Sequence, residues 1–177
     1  DALKIERAHF CGISMGGLIA LWLGIHAAAR IGRLVVCNTA ARVGTVDGWN
    51  SRMAAVRSDG MKAVAAGLME RWFTADFRGN NAATVEPVRQ MVLQAPVEGY
   101  LACCAAVRDA DLRERVAEVK APTLVISGTS DAVAPPAEGK FLAEKIPGAR
   151  LVELPAAHLS SVEAATQFSS AVIEFLS

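Results

Sequence analysis

Four short, nearly continuous apolar segments alternate along the chain with glycine, proline and polar residues: 8–14, 32–38, 122–127 and 150–154. Near-continuous apolar character is typical of parallel strands that are buried on both faces. Segments with helical patterns follow these strands at 18–30, 136–146 and 161–176. Because strands alternate with helices, the pattern predicts an α/β fold with a mostly parallel sheet and helices on both of its faces.

The middle of the chain has a different pattern. Segments with apolar residues at helical spacing, or with a short amphipathic pattern, are 64–73, 85–93 and 112–119. This part of the chain is too long to be a simple crossover between two strands. We therefore expect residues 41–120 to form a helical cap, inserted into a core that consists of residues 1–40 and 121–177.

The charge balance argues against two classes of partner. The 177 residues include 18 basic and 18 acidic side chains, so the formal net charge is zero. A nucleic-acid-binding surface normally needs a basic excess, and the same balance removes the electrostatic argument for an anionic membrane surface. No apolar run reaches the roughly 18 residues of a transmembrane span. We expect a cytoplasmic protein that binds neither nucleic acid nor membrane.

The cysteine pattern does not favour a metal site. Cys11, Cys37, Cys103 and Cys104 include no C-x-x-C pair, and the sequence has no closely spaced histidine pair. We expect all four to be buried, reduced thiols.

The clearest chemical motif is G-x-S-x-G, at residues 12–16 between a predicted strand and a predicted helix. This context is typical of a nucleophile elbow, in which a strained turn exposes the serine hydroxyl. Small residues at Gly12 and Gly16 would let neighbouring backbone approach closely. We expect Ser14 to be a nucleophile and the backbone N–H of Met15 to stabilise an oxyanion at the helix N-terminus.

A serine nucleophile needs a general base, and the chain has three histidines to choose from. His9 lies in the strand before the elbow, and His26 lies within the apolar helix. His158 follows a predicted strand and precedes the last helix. Because parallel sheets place their sites at the carboxyl ends of strands, we predict that His158 is the base.

The acid that orients this base is predicted to be Asp131, which follows another strand. Asp109 is the second candidate, although it precedes its helix instead of following a strand; Asp111 lies in a charged patch and Glu153 lies inside a strand. The chain order Ser, Asp, His is the order of the α/β-hydrolase triad. We expect acyl transfer to water through an acyl-serine, without any metal or organic cofactor.

A further similarity lies in longer sequence segments, which are spread across nearly the whole chain and include the predicted cap: FCGISMGG, CNTAARVGT, WNSRMAAVRSDGM, ERWFTADFR, GYLACCAAVRDADLRE and AAHLSSVEAATQF. With these strings the sequence resembles the 3-oxoadipate enol-lactonases of the α/β-hydrolase superfamily. The resemblance implies an eight-stranded fold with a helical cap after the sixth strand. It implies hydrolysis of 3-oxoadipate enol-lactone in the β-ketoadipate route of aromatic degradation, with Ser14, Asp131 and His158 as the triad.

The same resemblance suggests how a small lactone or ester substrate would be bound. It places Arg42 near the mouth of the site, where a guanidinium would suit the free carboxylate of the lactone. The alternative is a surface arginine where the cap joins the core. Trp72 is expected to contribute to substrate binding in the cap, and Trp49 could do the same, although either could instead belong to the cap core.

The chain also departs from the family pattern. His-Leu-Ser-Ser stands where His-Leu-Ser-Asn is expected. In the family, the first third of the protein supplies four strands and a second oxyanion donor, and this sequence has no counterpart to it. Asp1 would fall inside the helix before the elbow strand. We therefore expect a fragment, or a chain whose N-terminal partner is another polypeptide. We also expect association at the exposed sheet edge and poor catalysis by this chain alone.

Other functions remain open from the sequence. The triad fits equally a general carboxylesterase or a perhydrolase-type haloperoxidase on the same scaffold. A non-catalytic fragment that only resembles a hydrolase is a further alternative.

Overall fold

A computed structural model describes residues 2–177; Asp1, which we expected inside a helix, lies outside the described residues. Four strands form one parallel sheet in the order β1-β2-β3-β4. Their bounds are β1 (Ala8–Ile13), β2 (Ile31–Cys37), β3 (Thr123–Gly128) and β4 (Arg150–Leu154). All four strands were predicted from the apolar segments, each to within one residue.

Helices follow or connect the strands. Their bounds are α1 (Met15–His26), α2 (Val46–Asp59), α3 (Lys62–Trp72), α4 (Ala75–Asn80), α5 (Ala82–Leu93), α6 (Val97–Asp109), α7 (Pro136–Lys145), α8 (Ser160–Glu163) and α9 (Ala165–Leu176). The predicted helix 18–30 ends at His26 and is followed by a 3₁₀ turn, and the stretch 112–119 contains only a 3₁₀ turn. The last predicted helix is interrupted at Ala164, whose backbone leaves the helical region (φ −119°, ψ 44°).

The sheet is covered on both faces, as predicted. Successive side chains of a strand point to opposite faces, so the two central strands, β2 and β3, contribute to two cores. On one face Leu34, Val36 and Val125 pack with α1 and α7. On the other, Val35, Leu124 and Ile126 pack with α9. The predicted fold class, an α/β fold with a parallel sheet between helical layers, is confirmed.

Helices α2 to α6 all lie between β2 and β3 in the chain and have an apolar core of their own. Its fully or nearly fully buried members include Met53, Val56, Leu68, Met69, Phe73 and Leu101. Leu159 and Val162, which follow the β4 strand, also pack against this core. The helical layer therefore contacts the loop that carries His158.

Strand β1 is an edge strand of the described sheet. Within residues 2–177 it pairs with β2 alone, and half of its residues are exposed while the other half are partly buried. Cys11 on this strand and Cys103 on α6 are exposed, so the expectation that all four thiols are buried is wrong for these two. Association of further polypeptide at the β1 edge stays a prediction. None of the helices described for residues 2–177 has the length and apolarity that a bilayer span requires.

Candidate active site

Ser14 lies at the tight turn between β1 and α1. Its backbone has φ 54° and ψ −116°, a strained conformation for a residue with a side chain. The turn is held from both sides, because the Ser14 N–H donates to the Cys37 carbonyl at 2.9 Å and the Leu18 N–H donates to the Ser14 carbonyl at 3.1 Å. A strained serine at a strand-to-helix turn has the geometry of a nucleophile elbow.

The two glycines of the motif differ in the space that a side chain would have. A Cβ at Gly12 would lie 2.2 Å from the Gly16 carbonyl oxygen, so only glycine fits there. A Cβ at Gly16 would meet no atom of residues 2–177 within 4 Å. The expected close backbone approach is therefore observed at Gly12, while the described contacts give Gly16 no such reason.

Met15 is the first residue of α1. Backbone N–H groups in the first turn of a helix have no intrahelical acceptor, and the helix dipole adds partial positive charge there. The Met15 side chain also lines the cavity in front of Ser14. The oxyanion role of the Met15 N–H stays a prediction that this position supports.

His158 and Asp131 form a buried pair. The His158 Nδ1 atom lies 2.9 Å from Asp131 Oδ2, and the two residues are only 2% and 3% exposed. Both follow the carboxyl ends of neighbouring strands, β4 and β3. Since an ionised carboxylate can only accept a hydrogen bond, Nδ1 carries the proton and Nε2 is left as the basic nitrogen.

The Asp131 carboxylate accepts several hydrogen bonds. Oδ1 accepts from the backbone N–H groups of Val133 and Ala134 at 2.7 and 3.0 Å, and Oδ2 accepts from the Asn38 amide at 3.0 Å. Burial by itself raises the pKa of Asp131. The hydrogen bonds from His158, Ala134 and Asn38 outweigh burial and hold this pKa below its usual value, so the group is ionised at neutral pH.

Asn38, immediately after β2, joins three parts of the site and was not singled out from the sequence. Its Nδ2 group donates to Asp131 and, at 3.1 Å, to the carbonyl oxygen of Ala157, the residue before His158. Its Oδ1 accepts from the Ser160 hydroxyl. The only local signal was its place at the carboxyl end of a parallel strand.

Glu163 connects the His158 loop to the helical layer and was also missed. Its Oε2 atom accepts from the Ala157 N–H at 3.0 Å, and its carboxylate accepts from the hydroxyl and the N–H of Thr74, between α3 and α4. The Leu159 N–H donates to the Trp72 carbonyl at 3.0 Å. The loop is therefore fixed to both layers of the protein.

A cavity of about 440 Å³ lies in front of the predicted nucleophile and base. Ser14 and His158 both line it, and α2, α3 and α6 supply most of the remaining wall. The other lining residues are Met15, Val43, Trp49, Arg52, Leu68, Trp72, Ala95, Pro96, Gly99, Tyr100, Cys103, Cys104, Val107 and Val133. Trp72 and Trp49 line the cavity and also pack against the helical core, and a role of either one in substrate binding stays a prediction.

Arg42 is not among the residues that line this cavity, although its neighbour Val43 is, so its place near the mouth of the site stays a prediction. Its guanidinium lies 3.4 Å from Asp111 on a partly exposed surface. Asp111 also accepts from Arg113, and this hydrogen bond lowers the pKa of Asp111 to about 2. Arg42 is held by that ion-pair cluster, and Arg52 is the arginine that lines the cavity.

The other histidines and acids that the sequence offered as base or acid lie outside the His158–Asp131 pair and have other contacts. His26 donates from Nδ1 to the Trp22 carbonyl and accepts at Nε2 from Arg115, so neither nitrogen is available as a base. His9 lies against Gly32 on the exposed part of the sheet. Each acid alternative instead pairs with a basic side chain on the surface: Asp109 with Arg108, Asp111 with Arg113, and Glu153 with Lys140.

Within the described residues, no group of three or more His, Cys, Asp or Glu side chains is arranged to hold a metal ion. The functional groups described above for this site are a hydroxyl, an imidazole and a carboxylate.

Known proteins resemble this chain over nearly its full length. The family model described as the alpha/beta hydrolase fold matches residues 1–165. The 3-oxoadipate enol-lactonases 1 and 2 of Acinetobacter baylyi are 42% and 41% identical over 95% and 97% of this chain, which spans 63% and 64% of their own length. The crystal structure of the enol-lactonase from Burkholderia xenovorans LB400 is 45% identical with a TM-score of 0.96, covering 98% of this chain and 67% of that one.

The similarities confirm the resemblance to enol-lactonases that the sequence strings indicate, and they extend through the helical layer as well as the sheet. The family model covers the elbow, the Asp131 turn and the His158 loop. The chain belongs to the α/β-hydrolase family.

Proposed function

We propose that this chain carries the nucleophile, base and acid of a serine hydrolase that opens 3-oxoadipate enol-lactone to 3-oxoadipate. The observation that carries the proposal is the hydrogen-bonded His158–Asp131 pair, whose histidine lines the same cavity as the strained Ser14. The substrate class is taken from the enol-lactonases, whose similarity extends through the helices around the cavity. The β-ketoadipate route of aromatic degradation is the corresponding pathway.

In the first half of the proposed reaction, His158 Nε2 takes the Ser14 proton as Oγ attacks the lactone carbonyl. The carbonyl electron pair moves onto oxygen, where the Met15 N–H stabilises it. The Asp131 carboxylate stabilises the imidazolium that forms. The carbonyl then re-forms, the ring C–O bond breaks, and the enol oxygen takes the proton from His158. This enol tautomerises to the ketone.

In the second half, water attacks the acyl-serine while His158 takes a proton from it. Collapse of the second tetrahedral intermediate breaks the bond to Ser14 Oγ, which recovers its proton from His158. The released acid carries the oxygen of water as its new carboxylate. No metal or organic cofactor enters either half of the proposed cycle.

We further propose that residues 41–120 act as a cap over the site and that 1–40 with 121–177 form the core. Three helices of this segment, α2, α3 and α6, line the cavity that Ser14 and His158 share. The segment also has its own apolar cluster, distinct from the two clusters that cover the sheet. A cap of this kind would decide which acyl groups reach Ser14.

The proposal is tested by comparing two substrates in the wild-type chain and in Ser14→Ala. We expect opening of the enol-lactone to depend on Ser14 and to exceed hydrolysis of p-nitrophenyl acetate, relative to each uncatalysed rate. The ratio of the two rate enhancements does not depend on whether the absolute rates of this chain are low. A wide preference for the neutral ester would favour the carboxylesterase alternative, and Ser14-independent rates for both substrates would contradict any serine hydrolase.

A further inference from the structure

The Ala157 residue, which precedes His158, is held by hydrogen bonds on both of its backbone groups. Its N–H donates to Glu163 Oε2 at 3.0 Å, and its carbonyl oxygen accepts from the Asn38 amide at 3.1 Å. The backbone from which the imidazole extends is therefore fixed by two side chains that are distant from each other in sequence. Of these two side chains, Glu163 is the charged one.

The Glu163 carboxylate accepts from three donors and has no cationic partner. Besides the Ala157 N–H, the donors are the hydroxyl of Thr74 and its backbone N–H, which lies 3.3 Å from Oε2. Within residues 2–177, no basic side chain forms an ion pair with Glu163. A glutamine in this place could not accept from all three donors in the same geometry, because one end of its amide is an NH₂ group that only donates.

Polar contacts between the helical layer and the last part of the chain are confined to one place. In the described structure, every hydrogen bond between residues 46–109 and residues 121–177 is made by the carbonyl of Trp72 or by Thr74. These two residues lie at the end of α3 and just before α4. Their partners are the first and the fifth residue after His158. The helical layer is therefore attached by hydrogen bonds to the segment that carries the base.

This attachment also borders the cavity. The Trp72 side chain lines the cavity together with His158, while the Trp72 carbonyl accepts from the Leu159 N–H at 3.0 Å. The end of α3 thus contacts the cavity on one side and the residue next to the base on the other. A displacement there would move the imidazole relative to Ser14, and a misplacement of about 1 Å can cost roughly 100-fold in rate.

We propose that Glu163 is a positioning residue for the base, which through Thr74 holds the helical layer and the His158 backbone in one fixed relation. The inference rests on the proposed function, since it takes His158 as the base that acts on Ser14. Glu163 is not among the residues that line the cavity. It therefore acts through the backbone of the His158 segment and not by contact with the substrate.

The first readout is spectroscopic and does not involve the nucleophile. The proton that His158 Nδ1 donates to Asp131 should give a low-field ¹H NMR resonance in wild type, identified by its loss in His158→Gln. Glu163→Gln should shift this resonance to higher field and broaden it, because the imidazole is held less rigidly against the carboxylate. Glu174→Gln, at an exposed glutamate of α9 that pairs with Arg150, is the matched control and should leave the resonance unchanged.

The second readout is the rate at which a fluorophosphonate probe labels Ser14, measured at a temperature where circular dichroism shows every variant folded. Glu163→Gln should slow labelling about tenfold. Thr74→Val removes the hydroxyl that donates to Glu163 and should slow labelling severalfold, whereas Thr74→Ser keeps a hydroxyl and should be labelled like wild type. The double variant Thr74→Val/Glu163→Gln should be no slower than Glu163→Gln alone, because both changes remove the same link.

Thr45→Val is the control for the loss of a helix cap. The Thr74 hydroxyl also accepts from the Phe77 N–H at the start of α4, as the Thr45 hydroxyl accepts from the Gly48 N–H at the start of α2. Both valine variants should therefore lose stability. Only Thr74→Val should slow labelling.

Three results would overturn the positioning role. They are a wild-type labelling rate with an unchanged low-field resonance in Glu163→Gln, equal slowing by Thr45→Val and Thr74→Val, and effects of Thr74→Val and Glu163→Gln that multiply in the double variant. Wild type that is never labelled would instead contradict Ser14 as the nucleophile, and the resonance would then test Glu163 on its own.

Discussion

His158 Nδ1 lies 2.9 Å from Asp131 Oδ2, although 27 residues separate the two in sequence. Both loops are fixed by contacts from a third strand end, because the Asn38 side chain donates to Asp131 and to the backbone of the His158 loop. The loop is further fixed to the helical layer through Glu163. The pair is therefore positioned before any substrate arrives, which is what electrostatic catalysis requires.

The ionisation of Asp131 should be visible in the acid stability of the fold. Because its pKa is lowered in the folded state, its contribution is complete above the unfolded-state pKa of about 3.9 and is lost as pH falls through the folded-state value. Chemical denaturation from about pH 5 downward should show wild type losing free energy of unfolding faster than Asp131→Asn. A difference between the two proteins that does not change with pH would contradict this.

Removing the Asn38 side chain should lower the free energy of unfolding. Asn38→Ala removes one of the hydrogen bonds to the Asp131 carboxylate and leaves the Ser160 hydroxyl without its buried partner. We expect a loss of about 1–3 kcal/mol in the free energy of unfolding, measured by urea denaturation. Asn50→Ala, at an exposed asparagine that accepts from Arg108, is the control and should stay within about 0.5 kcal/mol of wild type.

Gly128 marks the point where β3 passes closest to the His158 loop. A Cβ there would lie 2.3 Å from the Ala157 carbonyl oxygen and 2.5 Å from that of Ala156. Gly128→Ala should displace this loop and cost about 1–3 kcal/mol in unfolding free energy. Gly79→Ala meets nothing within 4 Å and should be neutral or slightly stabilising. Equal melting temperatures for the two variants would show that the loop is less tightly packed than described.

Cys11 should react as an activated thiol. Its strand position is diagonal to Cys37, whose hydrogen bond lowers the pKa of Cys11 to about 7 against the smaller, opposite effect of partial burial. The thiolate is the reactive form, so iodoacetamide labelling should rise with a midpoint near this pH. In a Cys103→Ser background, Cys37→Ala should slow labelling at pH 7 about tenfold as the pKa returns toward about 8.5.

The control for this experiment is Cys104→Ala, a buried cysteine on α6 that does not contact Cys11. It should leave the labelling profile unchanged. If Cys37→Ala also leaves the profile unchanged, the hydrogen bond between the two thiols is not the cause of the reactivity.

The sequence was most informative where the signal is local. Ser14, Asp131 and His158 each follow a strand whose apolar run can be recognised without any partner, and the sheet then brings strand ends together. Asn38 could not be recognised in this way, because its role comes from contacts 93 and 119 residues away along the chain. Long-range polar networks of this kind leave no periodic trace in the sequence.

The place of Arg52 in the cavity wall shows a second limit. Trp49 and Arg52 share a face because they are three residues apart within one helix, α2, which was not predicted from the sequence. The Thr45 hydroxyl caps the start of this helix by accepting from the Gly48 N–H at 3.1 Å. Thr45 does offer a capping signal, but 46–59 lacks a clear apolar stripe, so neither the helix nor its orientation was predicted.

The nucleophile is tested most directly by its own covalent chemistry. A fluorophosphonate probe should label the wild-type chain on Ser14, located by peptide mass spectrometry, and should not label Ser14→Ala. His158→Gln should slow labelling by about 10²–10⁴-fold, the usual contribution of a general base. Wild-type chain that stays unlabelled, or His158→Gln that is labelled as fast as wild type, would contradict the account of Ser14 as a hydroxyl activated by His158.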